Sequence, residues 1–395
     1  MSGTPARHLS ESLDRVSSID ALRGLAALSV VIYHAREIFW VGLAATYARH
    51  GLRFDFNAWL GYLSAPFSYG GLGVTLFFVL SGYCIHRRGA LALAENPRAG
   101  LNFAAFARRR FWRIYPTYFC ALLLTAAIDA VLAARTGYRI SGQDDSLYAF
   151  LISLLSLQGY LAPFFGSNGV FWTLAMEIHL YLAYPLLFMI CRRYGASRTV
   201  TFTLAVGFAY LVLNSLLGLD HYLPYHFQRG PVFLPYWFTW SMGLYLAEAE
   251  AGRASDLGSS RWGGLMVLGV LAGVALDAFK CEVWADMFWA LFFAGILRWS
   301  LRPSGRRFWS GWAGVALAFV GVFSYSLYAV HGPILHAVFC LMSPDHAAKF
   351  STLWPAVGGV VIALASAWLF FQLIERWSIR PPRLDRRVPG GAQYA

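Results

Sequence analysis

Two ionisable residues in the first apolar stretch, Arg23 and His34, are spaced so that they could act together. A helix turns about 100° per residue, so their separation of eleven residues places both side chains on one face, roughly 16 Å apart along the axis. Ionisable groups inside a membrane helix are costly and usually have a function. The chemistry that an imidazole offers there is proton transfer near neutral pH. The spacing favours a functional pair, although Arg23 could simply reach the membrane interface and His34 could bond to a neighbouring helix.

A polar stripe in a later apolar run places a carboxylate inside the membrane as well. Thr173, Glu177, Tyr181 and Tyr184 follow helical spacing and share one face. We predict that Glu177 faces a cavity or a partner group. The side chain of His179 points about 200° away from that of Glu177, so we exclude it from the predicted site.

Two other apolar runs carry polar residues that could line a pocket. Ser81 shares its helix face with small residues that suit close helix packing, and its hydroxyl could face a cavity. Ser324, Tyr328 and His331 share a second face. We expect the Gly-Pro pair after His331 to break the helix and free backbone carbonyls at membrane depth, which is tolerated where they line a cavity. The alternative is a kinked packing helix with a structural histidine.

Further charged residues lie at the ends of apolar runs. Four arginines within residues 108–113 precede the third run. They either anchor a helix end at anionic lipid or bind phosphates, for which Arg110 and Arg113 are the candidates. At the end of the last run, Glu375 beside Arg376 predicts an interfacial ion pair.

The composition is that of a membrane protein. The 395 residues are 58% hydrophobic, 17% aromatic and 13% charged, which is more apolar side chain than a soluble domain can bury. The net charge of +12 could indicate nucleic-acid binding, but most basic residues lie between apolar runs, so we expect no nucleic acid. We mark eleven apolar runs: residues 19–40, 70–86, 115–134, 147–165, 170–191, 199–217, 232–249, 262–279, 283–299, 312–340 and 352–375.

The basic residues decide how many of these runs cross the membrane. Most of the 32 lysines and arginines cluster in segments that the positive-inside rule places in the cytoplasm. Eleven crossings would put every basic loop after residue 192 on the wrong side. The pattern is restored if 147–165, which is broken near Pro163 and Gly166, is a re-entrant or interfacial segment. We therefore predict an all-α membrane protein with about ten transmembrane helices and both termini cytoplasmic.

The sequence predicts one membrane domain without additions. It divides into a cytoplasmic segment 1–17, a membrane domain 18–380 and a basic, flexible tail 381–395, and we expect no cleaved signal peptide. The 5 cysteines lack metal-site or redox spacing, so we expect free thiols and no metal.

Several of these segments together resemble the acyltransferase 3 family of integral-membrane O-acyltransferases. The hallmark of that family, a basic residue followed by ten residues and a histidine in the first membrane helix, corresponds to Arg23 and His34. The resemblance runs in order from about Ser18 to Arg380, with Thr173 where the family usually has serine. The other matching segments are GVTLFFVLSGY (73–83), RRRFWRIYPTY (108–118), FWTLAMEIHLY (171–181), SYSLYAVHGPI (324–334) and FFQLIER (370–376).

The resemblance implies transfer of an acyl group, commonly acetyl, from acyl-CoA to a hydroxyl of a carbohydrate or glycolipid of the cell envelope. His34 is the expected general base, which suits a near-neutral imidazole. Glu177 is expected to orient it or balance its charge, and His331 is a further candidate catalytic residue. The residues expected to bind the acetyl-CoA donor are cationic or hydroxylic: Arg23, Arg110, Arg113 and Ser81. The expected location is the bacterial inner membrane, among membrane lipids.

Two other classes of protein could use the same intramembrane charges, namely a transporter of an anionic solute and a membrane sensor. Loss or transfer of acyl groups from acyl-CoA by the purified protein would indicate the enzyme. Counterflow in liposomes without thioester loss would indicate the transporter. The acceptor, the acyl chain length and the oligomeric state are not specified by the sequence.

Overall fold

The computed structural model describes residues 5–52, 54–137, 144–218, 233–343 and 345–379, except for the side chains of 5–16, 49 and 50. The predicted tail 381–395 lies outside the described residues, which form helices and turns without a β-strand. The helices are α1 (Pro5–Phe39), α2 (Leu43–His50), α3 (Phe56–Leu63), α4 (Gly73–Glu95), α5 (Phe103–Thr136), α6 (Leu147–Leu154), α7 (Phe171–Tyr194), α8 (Ala196–Leu217), α9 (Leu234–Glu250), α10 (Ser259–Ala278), α11 (Glu282–Ser300), α12 (Pro303–Trp309), α13 (Trp312–Val322), α14 (Ser324–Met342), α15 (Trp354–Phe370) and α16 (Arg376–Ile379), with a 3₁₀ segment at Ala65–Leu72 and a π-helical turn at Phe371–Glu375.

Seven of the described helical stretches are long and apolar enough to cross a membrane. They contain α4, α5, α7, α8, α10, α14 and α15. The remaining predicted crossings fall on α1, α9 and α11, so the count of ten stays a prediction. Helix α1 begins at Pro5 and runs without interruption across the boundary expected at residue 17.

The segment 147–165, which we expected not to span, contains only the eight-residue helix α6. Eight residues rise about 12 Å, far less than a hydrocarbon core of about 30 Å. The chain then passes through turns, with bridge pairings of Gln158 with Ala162 and of Asp144 with Phe165. This irregular backbone lies against protein, since Gln158, Ala162 and Phe165 are all buried.

The apolar run 312–340 contains two helices, but the break lies at Phe323 and not at Gly332–Pro333, where we expected it: α14 continues through Pro333 to Met342. Helix α13 ends at Val322 and α14 begins at Ser324, because Phe323 has φ −113° and ψ 19°, outside the helical region. Hydropathy does not detect such a break, since every residue from Val315 to Phe323 is apolar. The 11-residue α13 packs along α1.

Small residues bring the central helices into close contact. A Cβ on Gly24 of α1 would lie 1.9 Å from the carbonyl oxygen of Leu317, and one on Gly321 of α13 would lie 1.9 Å from that of Asp20. A side chain is excluded in the same way between α4 and α9, where a Cβ on Gly82 would lie 1.9 Å from the Trp240 carbonyl oxygen. Glycines at such contacts allow backbones to approach in a membrane protein. They allow α1 to pack closely against α13, and α4 against α9.

Candidate active site

A cavity of about 110 Å³ lies between α1, α4, α5, α7 and α14. We call it the arginine cavity, because three guanidinium groups line it. The residues of the predicted site that line it are Arg23, Ser81, Arg110, Arg113 and Glu177. Five of the seven predicted residues, from four helices that are distant in sequence, are thus brought to one space.

Arg23 enters the arginine cavity from α1 and is held at both ends of its guanidinium. Its Nη1 donates to Asp20 Oδ1 at 3.1 Å, one helical turn earlier, and its Nη2 donates to Cys84 Sγ of α4 at 3.4 Å. The ion pair with Asp20 offsets the cost of the charge and fixes the side chain beside α4.

Arg110 and Arg113 extend from α5 into the same cavity with much of their hydrogen-bonding capacity unused. The Arg110 guanidinium lies over two aromatic rings, with Cζ 5.6 Å from the Phe106 centroid and 5.8 Å from that of Tyr181. Among the described residues, its Nε is buried without a hydrogen-bond partner. Arg113 makes no ion pair with any residue that the structure describes. Such guanidinium groups suit an anionic ligand.

Glu177 is the carboxylate of this cavity, and its partners are hydroxyl groups. Ser81 Oγ donates to Glu177 Oε1 at 3.2 Å, and the Tyr181 hydroxyl donates to the same oxygen. Trp240 Nε1 donates to Ser81 Oγ at 3.3 Å and so orients that hydroxyl. Glu177 therefore offers a fixed negative charge opposite the arginines. His179 faces elsewhere and packs against the ring of Tyr160 at 5.5 Å.

His34 and His331 lie together, with ring centroids 5.3 Å apart and planes tilted by 48°. Neither histidine lines the arginine cavity. They connect to it through Tyr328, which lines the cavity and lies 5.7 Å from the His331 ring. Thr173 Oγ1 donates to the hydroxyl of Tyr328 at 2.6 Å. Thr173 is the residue that stands where the family usually has serine.

The contacts of His331 fix its tautomer. Its Nδ1 lies 3.0 Å from the carbonyl oxygen of Leu327 and 2.9 Å from that of Tyr328. Carbonyls only accept, so Nδ1 carries the proton and Nε2 of the neutral ring has a free lone pair. This Nε2 is buried without a hydrogen-bond partner among the described residues. It is therefore an available proton acceptor beside His34.

A second cavity, of about 1030 Å³, lies beyond the histidine pair. On α14, His331 falls between Tyr328, which lines the arginine cavity, and His336, which lines the second cavity. On α1, His34 follows Tyr33 and precedes Arg36, both of which line the second cavity. The lining combines aromatic rings with three basic and three acidic side chains: Tyr33, Trp40, Tyr69 and Phe339; Arg36, Lys280 and Lys349; Glu37, Asp277 and Glu282.

Two groups near this site were not anticipated. Glu375, expected at the interface with Arg376, is instead buried and accepts from both the backbone N–H of Ser326 (3.0 Å) and its hydroxyl (2.5 Å). The expectation of an ion pair was wrong because the π-helical turn directs Glu375 towards α14, while Arg376 donates to Gln372. Tyr328 was expected on one helix face with Ser324 and His331, but we assigned it no role in the site, although its spacing was a usable signal.

A separate buried group, the His86 cluster, contains His86, Cys191, Glu248 and Arg253. The ligand atoms of the first three lie within 4.8 Å of one another, a donor set that could bind zinc. Both Glu248 oxygens are already engaged, at 2.7 Å from His86 Nε2 and 2.8 Å from Arg253 Nε. The members come from α4, α7, α9 and the loop after α9, so sequence spacing could not indicate them.

Comparison with known proteins adds a family match. The sequence profile of an acyltransferase domain matches residues 16–372. Nodulation protein 10 of Rhizobium leguminosarum bv. viciae is 25% identical over 61% of this chain and 62% of its own length. The putative membrane-bound transacylase BcsY of Komagataeibacter xylinus is 24% identical over 96% of this chain and 86% of its own.

Two further relatives match over shorter stretches. The peptidoglycan O-acetyltransferase OatA of Listeria monocytogenes is 23% identical over 50% of this chain and 28% of its own length. The acyltransferase MdmB of Streptomyces mycarofaciens is 28% identical over 47% of this chain and 42% of its own. The chain thus spans less than two thirds of both Nodulation protein 10 and MdmB. No solved structure matches the chain significantly.

Proposed function

Because this chain belongs to the acyltransferase 3 family of integral-membrane acyltransferases, we propose that it transfers an acyl group from acyl-CoA to a hydroxyl of a carbohydrate or glycoconjugate. Acetyl-CoA is the donor that we propose, by analogy with the relative named as an O-acetyltransferase. The observation that carries the proposal is the arginine cavity, whose guanidinium groups retain bonding capacity and lead through Tyr328 to the histidine pair.

Donor binding follows from the shape and charge of the arginine cavity. About 110 Å³ is too small for a whole CoA molecule, so we propose that only the pantetheine arm and thioester enter it. The CoA phosphates then remain at the mouth, where Arg110 and Arg113 bind them as bidentate donors. The more exposed Arg108 lies outside the cavity lining. Glu177 accepts hydrogen bonds from Ser81 and Tyr181 and balances the positive charge of Arg110 and Arg113 before the donor binds.

The acceptor enters from the second cavity in this proposal. Aromatic rings such as Trp40 and Tyr69 offer apolar faces for sugar rings, and the mixed charges offer donors and acceptors for hydroxyl groups. The volume of about 1030 Å³ accommodates more than one sugar residue. The two substrates would then meet at the histidine pair from opposite sides.

The chemistry at the pair is general-base acyl transfer. His34 takes the proton of the acceptor hydroxyl as the oxygen attacks the thioester carbon. Collapse of the tetrahedral intermediate breaks the carbon–sulfur bond, and the CoA thiolate leaves with the proton that His34 accepted. His331, with Nε2 unprotonated, supports the proton transfer from the neighbouring ring.

We also propose that the chain crosses the membrane ten times with both termini cytoplasmic. The three helices α1, α9 and α11 would cross in addition to the seven stretches described above. Single cysteines at the exposed positions Ser197 and Ser304 should react with a membrane-impermeant maleimide only after the cytoplasmic face is opened. A cysteine at the exposed Ala348 should react in intact cells. Labelling of Ser197 and Ser304 variants in intact cells would overturn this topology.

The direct test of the function is a transfer assay on the purified, reconstituted protein. Labelled acetyl-CoA should lose its thioester when surface glycans of the host cell are added, and mass spectrometry should find the acetylated glycan. His34→Ala should lower transfer by roughly 10²–10⁴-fold without changing the thermal midpoint, Tm. His179→Ala, outside both cavities, is the matched control and should retain transfer. Counterflow of an anion with no thioester loss would replace the proposal with a transporter.

A further inference from the structure

Helix α14 contains a proline, and the hydrogen bond that this proline removes is replaced from another segment of the chain. Pro333 has no N–H, so the carbonyl of Ala329, four residues earlier, lacks the donor that an α-helix normally supplies. Nδ2 of Asn168 donates to this carbonyl oxygen at 2.8 Å. A buried carbonyl without a partner is costly, so Asn168 stabilises the proline-containing form of α14.

Asn168 is itself fixed between two helices. Its Nδ2 also donates to Thr125 Oγ1 of α5 at 3.3 Å, and Thr125 gives its own proton to the Ala121 carbonyl at 2.8 Å. Asn168 is fully buried in the loop before α7. A Cβ on Gly332 would lie 3.1 Å from Asn168 Oδ1, so a glycine at this position allows the amide to reach α14. The amide therefore ties α5 to the proline turn.

The turn that Asn168 holds carries the groups that connect the two cavities. Ala329 lies directly after Tyr328 and two residues before His331. The carbonyls of Leu327 and Tyr328, in the same turn, orient the His331 ring through Nδ1. A change in the backbone at Ala329 would therefore move both Tyr328 and His331.

We propose that Asn168 is a positioning residue for acyl transfer, which holds the proline-interrupted turn of α14 so that His331 stays beside His34. This role rests on the proposed function. Asn168 lines neither cavity, and it acts through the carbonyl of Ala329. Its loss should therefore lower kcat and leave the KM for acetyl-CoA, which is set at the arginines, unchanged.

A double-substitution cycle on the full-length protein tests this role. Asn168→Leu removes the amide donor at similar volume, and Pro333→Ala returns an N–H to the Ala329 carbonyl. Asn168→Leu should lower kcat by about 10- to 100-fold, because small displacements of reacting groups are costly, and should lower Tm by roughly 2–4 °C. Adding Pro333→Ala to Asn168→Leu should restore most of the Tm and at least a third of the lost activity on a logarithmic scale.

Gln158 provides the matched control. It is a buried amide of the same loop region, but its Nε2 donates to the Phe171 carbonyl at 2.9 Å and to Tyr118, away from the proline turn. Gln158→Leu should lower Tm, and Pro333→Ala should not restore it. Equal impairment of Asn168→Leu with and without Pro333→Ala, in an active wild-type background, would overturn the role of Asn168.

The kinetic and thermal measurements separate this proposal from the proposed function. A wild-type protein that transfers no acyl group overturns the function, and the positioning role with it. The thermal cycle would still show in that case whether Asn168 replaces the bond that Pro333 removes. An active wild type in which Asn168→Leu changes only the KM for acetyl-CoA would overturn the positioning role alone.

Discussion

The arginine cavity and the His86 cluster both bury charge beside α4 and α7, yet they partner it in opposite ways. In the His86 cluster, both oxygens of Glu248 are engaged by its histidine and Arg253, and Arg253 also donates to the Leu93 carbonyl at 3.1 Å. In the arginine cavity, Arg110 Nε has no hydrogen-bond partner among the described residues. The first group is closed by its own members, whereas the second faces open space.

The difference distinguishes charges that stabilise from charges that bind. Removing one member of a buried ion pair leaves its partner without a hydrogen bond, so the substitution should lower the stability of the protein. Removing a guanidinium that has no hydrogen-bond partner leaves no other group unsatisfied, so the substitution should weaken ligand binding instead. The substitutions that follow test this distinction.

The largest expected effect is loss of stability on opening the His86 cluster. Glu248→Ala leaves Arg253 and His86 without their carboxylate, and it should lower the free energy of unfolding by about 3–5 kcal/mol. Thermal unfolding in detergent measures it, with the exposed Glu95→Ala as control. Transfer per folded molecule should be retained. A variant with normal Tm and lost transfer would place the cluster in the catalytic machinery.

The next effect is on donor affinity at the arginine cavity. Arg110→Gln removes a guanidinium proposed to bind a CoA phosphate, and it should raise the KM for acetyl-CoA by roughly 10-fold, the value of a charge-assisted hydrogen bond. Tm should change little, because Arg110 makes no hydrogen bond among the described residues and its loss removes only the contacts with the Phe106 and Tyr181 rings. Arg108→Gln, outside the cavity lining, should leave KM near the wild-type value. An unchanged KM in a stable Arg110→Gln protein would make the residue a membrane anchor.

A smaller effect is expected at Arg23, which has features of both regions, being paired and also facing the cavity. Arg23→Lys keeps the charge beside Asp20 but loses the planar fork that also reaches Cys84. The kcat/KM for acetyl-CoA should fall by roughly three- to tenfold with little change in Tm. Wild-type kinetics in this variant would leave ion pairing with Asp20 as the role of Arg23.

The smallest effect concerns an exposed ion pair, where water screens the charge. Hydrogen bonds from Arg298, at 2.8 and 2.7 Å, lower the pKa of Asp256 to about 2 from an ordinary value near 3.8. The folded state binds this proton less tightly, so its stabilisation is present above about pH 4 and is lost as pH falls towards 2. Asp256→Asn should cost less than about 1 kcal/mol at pH 7. The Tm difference from wild type should vanish between pH 4 and 2.

Several features of the fold and the site could be predicted from the sequence because they depend on local periodicity. The polar stripe on α7 is one, since Thr173, Glu177 and Tyr181 all line the arginine cavity. The interruption within 147–165 is another, since Pro163 and Gly166 mark irregular backbone after α6. Helical spacing and breaker residues act within a few turns, so no partner helix is needed to interpret them.

Other features depended on how distant helices pack. His34 and His331 are neighbours because α1 packs against α14, and the 296 residues between them contain no signal for it. The burial of Glu375 and the break at Phe323 were missed for the same reason, because neither a neighbouring arginine nor a continuous apolar run reveals a tertiary partner.

The sequence by itself determined that this is a helical membrane protein with ionisable groups at membrane depth, because a continuous apolar run and a charge within it are local properties. Only the tertiary structure decided which of those groups meet. It separated Arg110, which faces open space, from Glu248, which its neighbours saturate, and it gave Asn168 the carbonyl that Pro333 leaves free. The physical reason is that hydrogen bonding in the interior depends on three-dimensional proximity, which packing sets across hundreds of residues.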